Sequence, residues 1–318
     1  MDTLWPEDER EGPLGLAVSG GPDSLALVLL GAAAFPGSIA VASIDHGLRA
    51  EAAEEVALVE RVCRELAVPF TSIRVSLGPG NVQARAREAR YAALVQWAEA
   101  EGLGAVATAH HADDQAETLL MRLARGSGLA GLAGVRAATV MPASETPLIR
   151  PLLGFRKPEL AAIVAACEIT PAFDPSNENP AFDRVRVREH LAAHDWLDPL
   201  ALAASAGHLA EALRALEWYS QLDWEEMVAL EEEAPVPTYR YYANVPRAIQ
   251  VETVCRIVAA LGGQVSRSEA GRAADRLWRG ENASLGGVLA TAGIEKVEKI
   301  GVAMRVWRFR TEPPRKTH

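Results

Sequence analysis

The stretch AVSGGPDSLAL at residues 17–27 decides the fold class of this chain. It has the pattern of a buried strand, a turn with two glycines, and a helix that starts near a proline. Adjacent glycines permit positive φ angles in a tight turn. The same turn would aim backbone N–H groups and the hydroxyls of Ser19 and Ser24 at the positive end of a helix dipole, which suits an anion. The stretch is therefore either a plain strand-to-helix corner or an anion-binding turn.

Short apolar runs alternate with longer helical patterns over residues 14–109. The runs are rich in Val, Ile and Ala and are typical of buried strands: LGLAVS (14–19), SIAVASID (38–45), FTSIRVS (70–76) and GAVATAH (104–110). The helical patterns between them cover residues 24–34, 51–67 and 82–101. This alternation predicts an α/β fold with a doubly wound parallel sheet, right-handed crossovers, and ligands at the carboxyl ends of the strands.

Residues 201–318 differ in composition and predict a second, mainly helical domain. Their helical patterns cover residues 200–233, 247–261 and 267–278, whereas residues 283–310 alternate as strands do. We therefore expect a catalytic domain over residues 1–200 and a substrate domain over residues 201–318.

Composition and charge exclude several classes of protein. No apolar run approaches the roughly 20 residues that span a bilayer, and the acidic N-terminus MDTLWPEDER differs from a signal peptide, so we expect a cytoplasmic protein without a membrane partner. Cys63, Cys167 and Cys255 form no CxxC pair, which argues against a disulfide framework and against zinc or iron–sulfur sites. The net charge of −10 argues against indiscriminate nucleic-acid binding but permits a local basic face.

Three further polar clusters follow predicted strands or precede predicted helices. They are DHGLR at 45–49, HHADDQAET at 110–118 and DPSNENPAFDRVRVREHL at 174–191. Asp113, Asp114 and Glu117 share one helix face near its N-terminal end, and carboxylates so close together repel unless a metal ion or an ammonium group lies among them. His110 and His111 invite a metal-hydrolase interpretation, but two adjacent imidazoles beside an acidic helix are not a defined ligand set.

Structural interpretations of these clusters stay open. Asp45 fits a helix cap as well as a ligand-binding role. The alternating Arg184, Arg186 and Arg188 fit a solvated surface, or a phosphate site in which forked guanidinium donors bind the anion.

The opening turn is not the usual P-loop, because GxxxxGK[ST] requires a lysine that is absent here, and this disfavours a γ-phosphate-transferring NTPase. The full SGGPDS string after a strand resembles the signature of the N-type ATP pyrophosphatases, the PP-loop enzymes. These enzymes cleave ATP between the α and β phosphates and activate an oxygen as its adenylate.

Taken in order, the motifs resemble those of the tRNA(Ile)-lysidine synthetase family. They are SGGPDS, DHGLR, the ARxxRY helix with Arg87, Arg90 and Tyr91, HHADDQAET with RGSGLAGL, RPLL, and DPSN with its arginines. The likeness is close over residues 14–200 and looser beyond, where SLGG at 284–287 is the best local match. Val185 stands where the family commonly has an asparagine between two arginines. Many members also continue into a C-terminal tRNA-binding domain, and we expect none here after His318.

The resemblance implies an ATP-dependent ligase that attaches free L-lysine to carbon 2 of the wobble cytidine of an isoleucine tRNA with a CAU anticodon. The tRNA would first be adenylated, with release of pyrophosphate, and AMP would leave when lysine attacks. The implied cofactors are ATP and Mg²⁺, the implied role of residues 201–318 is tRNA binding, and a homodimer is a possible assembly.

The resemblance also implies roles for individual residues. The implied ATP-binding residues are Ser19, Gly20, Gly21, Pro22, Asp23, Ser24, Asp45 and His46. The implied catalytic residues are Asp23, Asp113, Asp114, Glu117 and Arg188, with Asp23 and Asp113 as magnesium ligands. The implied substrate-binding residues are Arg87, Arg90, Asp114, Glu117, Arg184 and Arg186. Asp114 and Glu117 would hold the lysine ammonium, while Arg90 and Arg188 would meet phosphate or the lysine carboxylate.

Three alternatives remain. Another PP-loop tRNA-modifying enzyme, such as a thiolase, would use the same turn, although sulfur-transferring members often carry catalytic cysteines or CxxC pairs. NAD or GMP synthetases share the turn, yet neither explains the RGSGLAGL and DPSN segments. A nucleotide-sensing protein could keep the fold without turnover.

Overall fold

The computed structural model describes residues 4–45, 52–75, 82–172, 183–231, 234–297 and 301–312. The chain divides into two compact units, Met1–Glu211 and Ala212–His318. This division falls inside a helix, Pro199–Met227, whose start lies next to the boundary expected at residue 200.

Within the described residues, the first unit contains a six-stranded sheet. Its strands are β1 (Leu14–Ala17), β2 (Ile39–Asp45), β3 (Phe70–Arg74), β4 (Ala105–Thr108), β5 (Ala138–Val140) and β6 (Pro147–Ile149). They lie in the order β3-β2-β1-β4-β6-β5, with every neighbouring pair parallel except β5 and β6. The doubly wound parallel sheet is confirmed, and the antiparallel edge strand β5 is an addition that the sequence pattern did not predict.

Helices cover both faces of this sheet, as the alternation of side chains in its strands requires. They are α1 (Pro22–Ala34), α2 (Ala52–Glu65), α3 (Val82–Glu101), α4 (Ala112–Ala124), α5 (Leu129–Leu132), α6 (Lys157–Ala166) and α7 (Asp183–Ala193). In β2, Ile39 and Val41 pack in a core with α1, α2 and α6, whereas Ala40 and Ala42 pack in a second core with Leu94 of α3. Two hydrophobic cores therefore hold the sheet from opposite sides.

The strand order places the functional region. From β1 the chain builds outward to β2 and β3 on one side, and then returns to β4 and β6 on the other. The loops after β1 and β4 therefore leave the sheet at a point where the order reverses, and α/β proteins bind ligands in the crevice that such loops form. α1 follows β1 and α4 follows β4, so the first turns of both helices lie at this edge.

The second unit contains an antiparallel sheet that corrects the expectation of a mainly helical domain. In the described residues it has five strands, ordered β7-β8-β11-β10-β9. They are β7 (Val228–Glu231), β8 (Thr238–Tyr242), β9 (Ala283–Leu285), β10 (Val288–Val297) and β11 (Val302–Thr311). The helices are α8 (Pro199–Met227), which begins in the first unit, α9 (Arg247–Ala260) and α10 (Arg267–Trp278).

The helices α9 and α10 match the prediction, and so does the alternating pattern of β10 and β11. The predicted helix over residues 200–233 was too long, because α8 ends at Met227 and residues 228–231 pair with β8. The core lies between α9, α10 and the sheet, where Trp307 and Phe309 are fully buried against Val254 and Ile257. The domain is thus an α/β layer whose helices depend on the sheet for burial.

None of the helices in the described segments combines the length and the apolar character that crossing a membrane requires.

Candidate active site

The turn after β1 is held by its two serines. The backbone N–H of Ser19 donates to Ser24 Oγ at 3.2 Å, and the Ser24 hydroxyl donates to the Gly21 carbonyl at 3.0 Å. Gly20 has a φ of +86°, and a Cβ there would lie 3.3 Å from the carbonyl oxygen of Glu55. The turn therefore needs glycine at position 20, and its hydroxyls are already oriented around the start of α1.

The N-terminus of α1 is open. Gly21 is its N-cap residue, and its first turn has no side-chain cap among the described residues. Asp23 lies in that turn, and its Oδ1 is buried without a hydrogen-bond partner among the described residues. An unpaired buried carboxylate oxygen is costly in a folded protein unless a cation or a donor reaches it. The donor set at this turn fits both an anion on the N–H groups and a metal ion on Asp23.

His111 connects this turn to α4. It is the N-cap residue of α4, where its Nδ1 accepts from the Asp114 N–H at 3.4 Å and its own N–H donates to Asp114 Oδ2 at 3.1 Å. Its Nε2 lies 3.5 Å from Asp23 Oδ2. Burial disfavours the charged ring, but the hydrogen bond with Asp23 and the charges of Asp114 and Asp113 outweigh burial and raise the pKa of His111. The ring therefore joins the two helix N-termini electrostatically.

His110 has the opposite environment. Its Nδ1 lies 3.0 Å from Thr108 Oγ1, so the ring and the hydroxyl share one hydrogen. Burial, helped by the cations Arg150, Arg184 and Arg87, lowers the pKa of His110 to about 4 against the attraction of Asp114. His110 is therefore neutral at physiological pH, and the adjacent histidines do not form a pair with equivalent roles.

Asp113 turns away from the opening of α1. Its oxygens accept from the Arg156 Nε at 3.1 and 3.2 Å and from the Lys157 N–H at 2.7 Å. Burial favours its neutral form, but these hydrogen bonds and the Arg156 charge prevail and lower the pKa of Asp113. A role as magnesium ligand stays a prediction, and it would require at least one oxygen to leave these partners.

Asp114 and Glu117 are paired with arginines of α7. The Arg184 Nη2 donates to Asp114 Oδ1 at 3.0 Å, and its Nε donates to Glu117 Oε2 at 2.6 Å. The Arg188 Nε donates to Glu117 Oε1 at 2.8 Å. Glu117 is only 1% exposed, so this buried carboxylate is stabilised by two guanidinium groups.

Arg186 lies on another face of the same helix. It pairs with Asp183 and its side chain is 61% exposed. Arg184 and Arg188 are four residues apart and face α4 together, which is the helical spacing for one face. The alternating arginines of the sequence thus belong to two different surfaces.

With this geometry established, the comparisons with known proteins identify the family. A model of the PP-loop domain family matches residues 3–195. A tRNA(Ile)-lysidine synthase from Novosphingobium aromaticivorans is 44% identical over 97% of this chain and 92% of its own length. One from Zymomonas mobilis is 38% identical over 96% of this chain and 90% of its own. The chain belongs to the tRNA(Ile)-lysidine synthase family.

Among solved structures, the U34-tRNA thiolase NcsA from Methanococcus maripaludis, described with its [4Fe-4S] cluster, has a similar fold. Its TM-score is 0.55 at 17% identity, covering 67% of this chain and 75% of that chain. This likeness supports the PP-loop fold alone. Sequence identity over almost the whole chain therefore favours the lysidine synthases over the thiolase alternative.

The structure describes two further groups of the site residues expected from the family resemblance. Arg87 and Arg90 are exposed on α3, where Arg87 Nη2 donates to the Tyr91 hydroxyl at 3.4 Å and the guanidinium lies 5.1 Å from the ring centroid. Asp45 ends β2, with its Oδ2 3.6 Å from Arg74 Nε. His46 and the DPSN stretch at 174–177 lie outside the described residues.

A cleft of about 430 Å³ adjoins Asp113 and Glu117 and was not predicted. Its lining includes the carboxylates Glu117 and Asp198 and the cations Arg156, Lys157 and Arg188. A cleft lined by both cations and carboxylates suits a small zwitterion. The RKPEL stretch at 156–160 reads as a helix start in the sequence and carries no separate signal for this role.

Proposed function

We propose that this protein attaches free L-lysine to carbon 2 of the wobble cytidine in an isoleucine tRNA with a CAU anticodon, using ATP and Mg²⁺. The observation that carries the proposal is the chain of contacts from the ATP-binding turn to the buried carboxylates. His111 Nε2 lies 3.5 Å from Asp23 Oδ2 and 3.5 Å from Asp114 Oδ2, and Arg184 joins Asp114 to Glu117. A site for activation therefore adjoins a site for an ammonium group.

The turn between β1 and α1 would bind the phosphates that leave as pyrophosphate. The first N–H groups of α1 receive no side-chain cap, and the helix dipole favours an anion at that end. Ser19 and Ser24 have their hydroxyls 3.4 Å apart beside these donors. The open helix end and the two hydroxyls together support ATP binding at this turn.

Asp23 is the residue that fits Mg²⁺ best. Its buried Oδ1 has no partner in the described residues, whereas both oxygens of Asp113 accept hydrogen bonds. When bound, Mg²⁺ would offset negative charge on the phosphates. Asp113 would then support the site indirectly, because it fixes the start of α6 through the Lys157 N–H.

The reaction needs activation because the oxygen on carbon 2 of cytosine is a poor leaving group. Transfer of AMP from ATP to that oxygen releases pyrophosphate and makes AMP the leaving group. The side-chain ammonium of lysine would then give up a proton to a carboxylate or to water, and the neutral amine would attack carbon 2 and release AMP. The target base would leave the anticodon stack, at a cost of a few kcal/mol for a loop base. Two moderate barriers would replace one high barrier.

Free lysine would bind in the cleft beside Glu117. Its ammonium requires a carboxylate, and its own carboxylate requires a cation, which Lys157 or Arg156 in the lining of the cleft would supply. Glu117 already pairs with Arg184 and Arg188, whose side chains are 43% and 37% exposed. An arginine that turned toward tRNA phosphate would leave Glu117 to the lysine ammonium, so tRNA binding would favour lysine binding.

The proposal is tested by incorporation of labelled lysine into a panel of tRNA transcripts. We expect incorporation only with ATP and with isoleucine tRNA carrying the CAU anticodon, and none with methionine tRNA. A thiolase or a nucleotide sensor would incorporate no lysine into any transcript. tRNA binding by the second unit, location in the cytoplasm and a homodimer stay predictions.

The lysine site is tested by Glu117→Gln in a single-turnover experiment. Adenylated tRNA is first trapped without lysine and then chased with lysine. The loss of a charge-assisted hydrogen bond in a buried site costs about 1.5–3 kcal/mol, so we expect lysine affinity to fall about ten- to a hundredfold while adenylation persists.

Glu60→Gln is the matched control, because Glu60 forms an exposed pair with Arg64 on α2 and lies outside the proposed site. A failure of Glu117→Gln in the adenylation step would contradict the lysine site and would indicate a magnesium site at these carboxylates instead.

A further inference from the structure

Arg150 is a buried cation with no carboxylate partner among the described residues. It follows β6 directly and is 6% exposed. Its Nη1 donates to the Arg136 carbonyl at 2.6 Å, and its Nε is buried without a partner among the described residues. Buried arginines are rare unless they are paired with an opposite charge, because removing the charge from water is costly.

The side chains that act on Arg150 do not neutralise it. Burial lowers the pKa of Arg150, the Tyr91 hydroxyl opposes that effect, and the neighbouring cation Arg87 adds to it. Arg87 in turn donates to the same Tyr91 hydroxyl at 3.4 Å and stacks on its ring at 5.1 Å. The guanidinium groups of Arg150 and Arg87 thus both interact with the Tyr91 hydroxyl. Packing of the hydrophobic core does not by itself explain why two cations lie at one phenol.

This group of three residues extends from the interior to the surface. Arg150 is buried, Tyr91 is partly buried against the core below α3, and Arg87 is exposed. The phenol ring restricts Arg87 because a stacked and hydrogen-bonded guanidinium has few alternative rotamers. The charge of Arg150 adds to the positive potential at Arg87. A bound anion next to Arg87 would supply the negative charge that the described side chains around these two arginines do not.

The position of β6 indicates which anion this is. In the sheet order, β6 lies beyond β4, on the side of β1 opposite to β2. Two strand spacings separate the ends of β1 and β6 by about 10 Å. In the proposed function, ATP occupies the carboxyl ends of β1 and β2, which leaves the β4–β6 side to the other phosphate-bearing substrate. A phosphodiester of RNA fits this position better than a phosphate of the nucleotide.

We propose that Arg150 is a positioning residue that, through Tyr91, holds Arg87 in place to bind a phosphodiester of the tRNA substrate. The inference rests on the proposed function for the identity of the RNA. Arg150 itself does not contact the RNA, and its charge and its link to Tyr91 orient the residue that does.

The test compares Arg87→Gln, Arg150→Met and their double variant. The affinity for an isoleucine tRNA transcript with a CAU anticodon is measured over a range of salt concentrations, and ATP affinity is measured alongside. We expect each single variant to weaken tRNA binding several-fold and to lower the salt slope by about 0.7, the value for one phosphate contact in a single strand. The double variant should lose no more than Arg87→Gln alone, because both changes remove one contact.

Two further variants separate positioning from a merely structural role. Tyr91→Phe keeps the ring and removes the hydroxyl, so it should reduce tRNA affinity as Arg150→Met does. It does so without removing a buried side chain, which in Arg150→Met could itself impair folding. Arg150→Lys keeps the charge and should restore part of the salt slope. Arg64→Met is the matched control for loss of an arginine, because Arg64 forms an exposed pair on α2.

Additive losses in the double variant, or wild-type tRNA affinity in both Arg150→Met and Tyr91→Phe, would overturn the inference. A loss of ATP affinity with unchanged tRNA affinity would overturn the RNA assignment and place a nucleotide phosphate there. Lysine incorporation by the wild-type protein tests the proposed function separately, so failure of that function is distinguishable from failure of this inference.

Discussion

Two helices begin at the same edge of the parallel sheet, and their N-termini differ. α4 is closed by its own residues, since the His111 side chain and Asp114 satisfy each other's backbone N–H groups. α1 begins at a glycine, and within the described part of the chain it has no side-chain cap and its Asp23 Oδ1 has no hydrogen-bond partner. A helix N-terminus whose N–H groups are bonded to the protein's own side chains stabilises the local structure. A helix N-terminus whose N–H groups lack such partners, beside an unpaired carboxylate, is available to a ligand.

α6 supports the same distinction. Its first turn is closed by the Glu159 carboxylate, which accepts from the Arg156 N–H at 2.6 Å, and by Asp113, which accepts from the Lys157 N–H at 2.7 Å. Among the N-termini of α1, α4 and α6, that of α1 alone lacks a side-chain acceptor within the described residues. This difference supports the proposal that ATP binds at α1 and that Asp113 and His111 have supporting roles.

The largest expected effect comes from Asp23→Ala at the open end. We expect ATP-dependent adenylation to fall more than tenfold, which is about 1.4 kcal/mol of barrier, because the carboxylate next to the phosphates is lost. The variant should stay folded, because it loses the 3.5 Å contact between Asp23 Oδ2 and His111 Nε2 but also removes the buried Oδ1, which has no hydrogen-bond partner among the described residues. Pyrophosphate release in a quenched assay and urea unfolding measure the two quantities. Near-normal release by the folded variant would contradict the assignment of ATP to α1.

At the closed end, His111→Ala should reduce stability. Loss of an N-cap costs about 1 kcal/mol in the free energy of unfolding, and this contribution belongs to the neutral ring, because only an unprotonated Nδ1 accepts from the Asp114 N–H. The raised pKa of His111 adds stability that is fully present below the unfolded value of ~6.5 and is lost as pH rises through the folded value. The difference between wild type and variant should therefore shrink as pH rises above about 6.5, as measured by urea unfolding. A difference that grows with pH would show that His111 is not stabilised as a cation by Asp23, Asp113 and Asp114.

The smallest expected effect comes from Gly21→Ser, which would close α1 as α4 is closed. Gly21 has ordinary extended angles, and the nearest atom to an added Cβ is Ser19 Oγ at 4.0 Å, so the serine fits. We expect stability to rise by a few tenths of a kcal/mol while ATP affinity falls, because the new hydroxyl occupies an N–H group that phosphate needs. Thermal unfolding with and without ATP measures both effects.

Gly21→Ala is the control for bulk, because it adds the Cβ without an acceptor and should lower stability. An equal loss of ATP affinity in both variants would attribute the loss to bulk rather than to capping.

Much of the catalytic unit was predictable because its signals are local. Four buried strands alternate with helices at the expected places, and the glycine turn before α1 follows from a conformation that only glycine adopts easily. The second unit was predicted less well. Residues 228–231 continue the apolar and acidic composition of α8, and only pairing with β8 makes them a strand. Strand pairing is a long-range property that a short segment does not encode.

The sequence alone determined the family, the sheet, the open turn at residues 19–24 and the common face of Asp114 and Glu117, because repeat spacing and backbone requirements act over a few residues. The tertiary structure decided the partners of the charges. Glu117 meets Arg184 across 67 residues of chain, and Asp113 meets Arg156 across 43. Such pairs depend on which helices the sheet brings together. Attraction between two charges depends on their distance in space, so no periodicity of the sequence indicates which residues will pair.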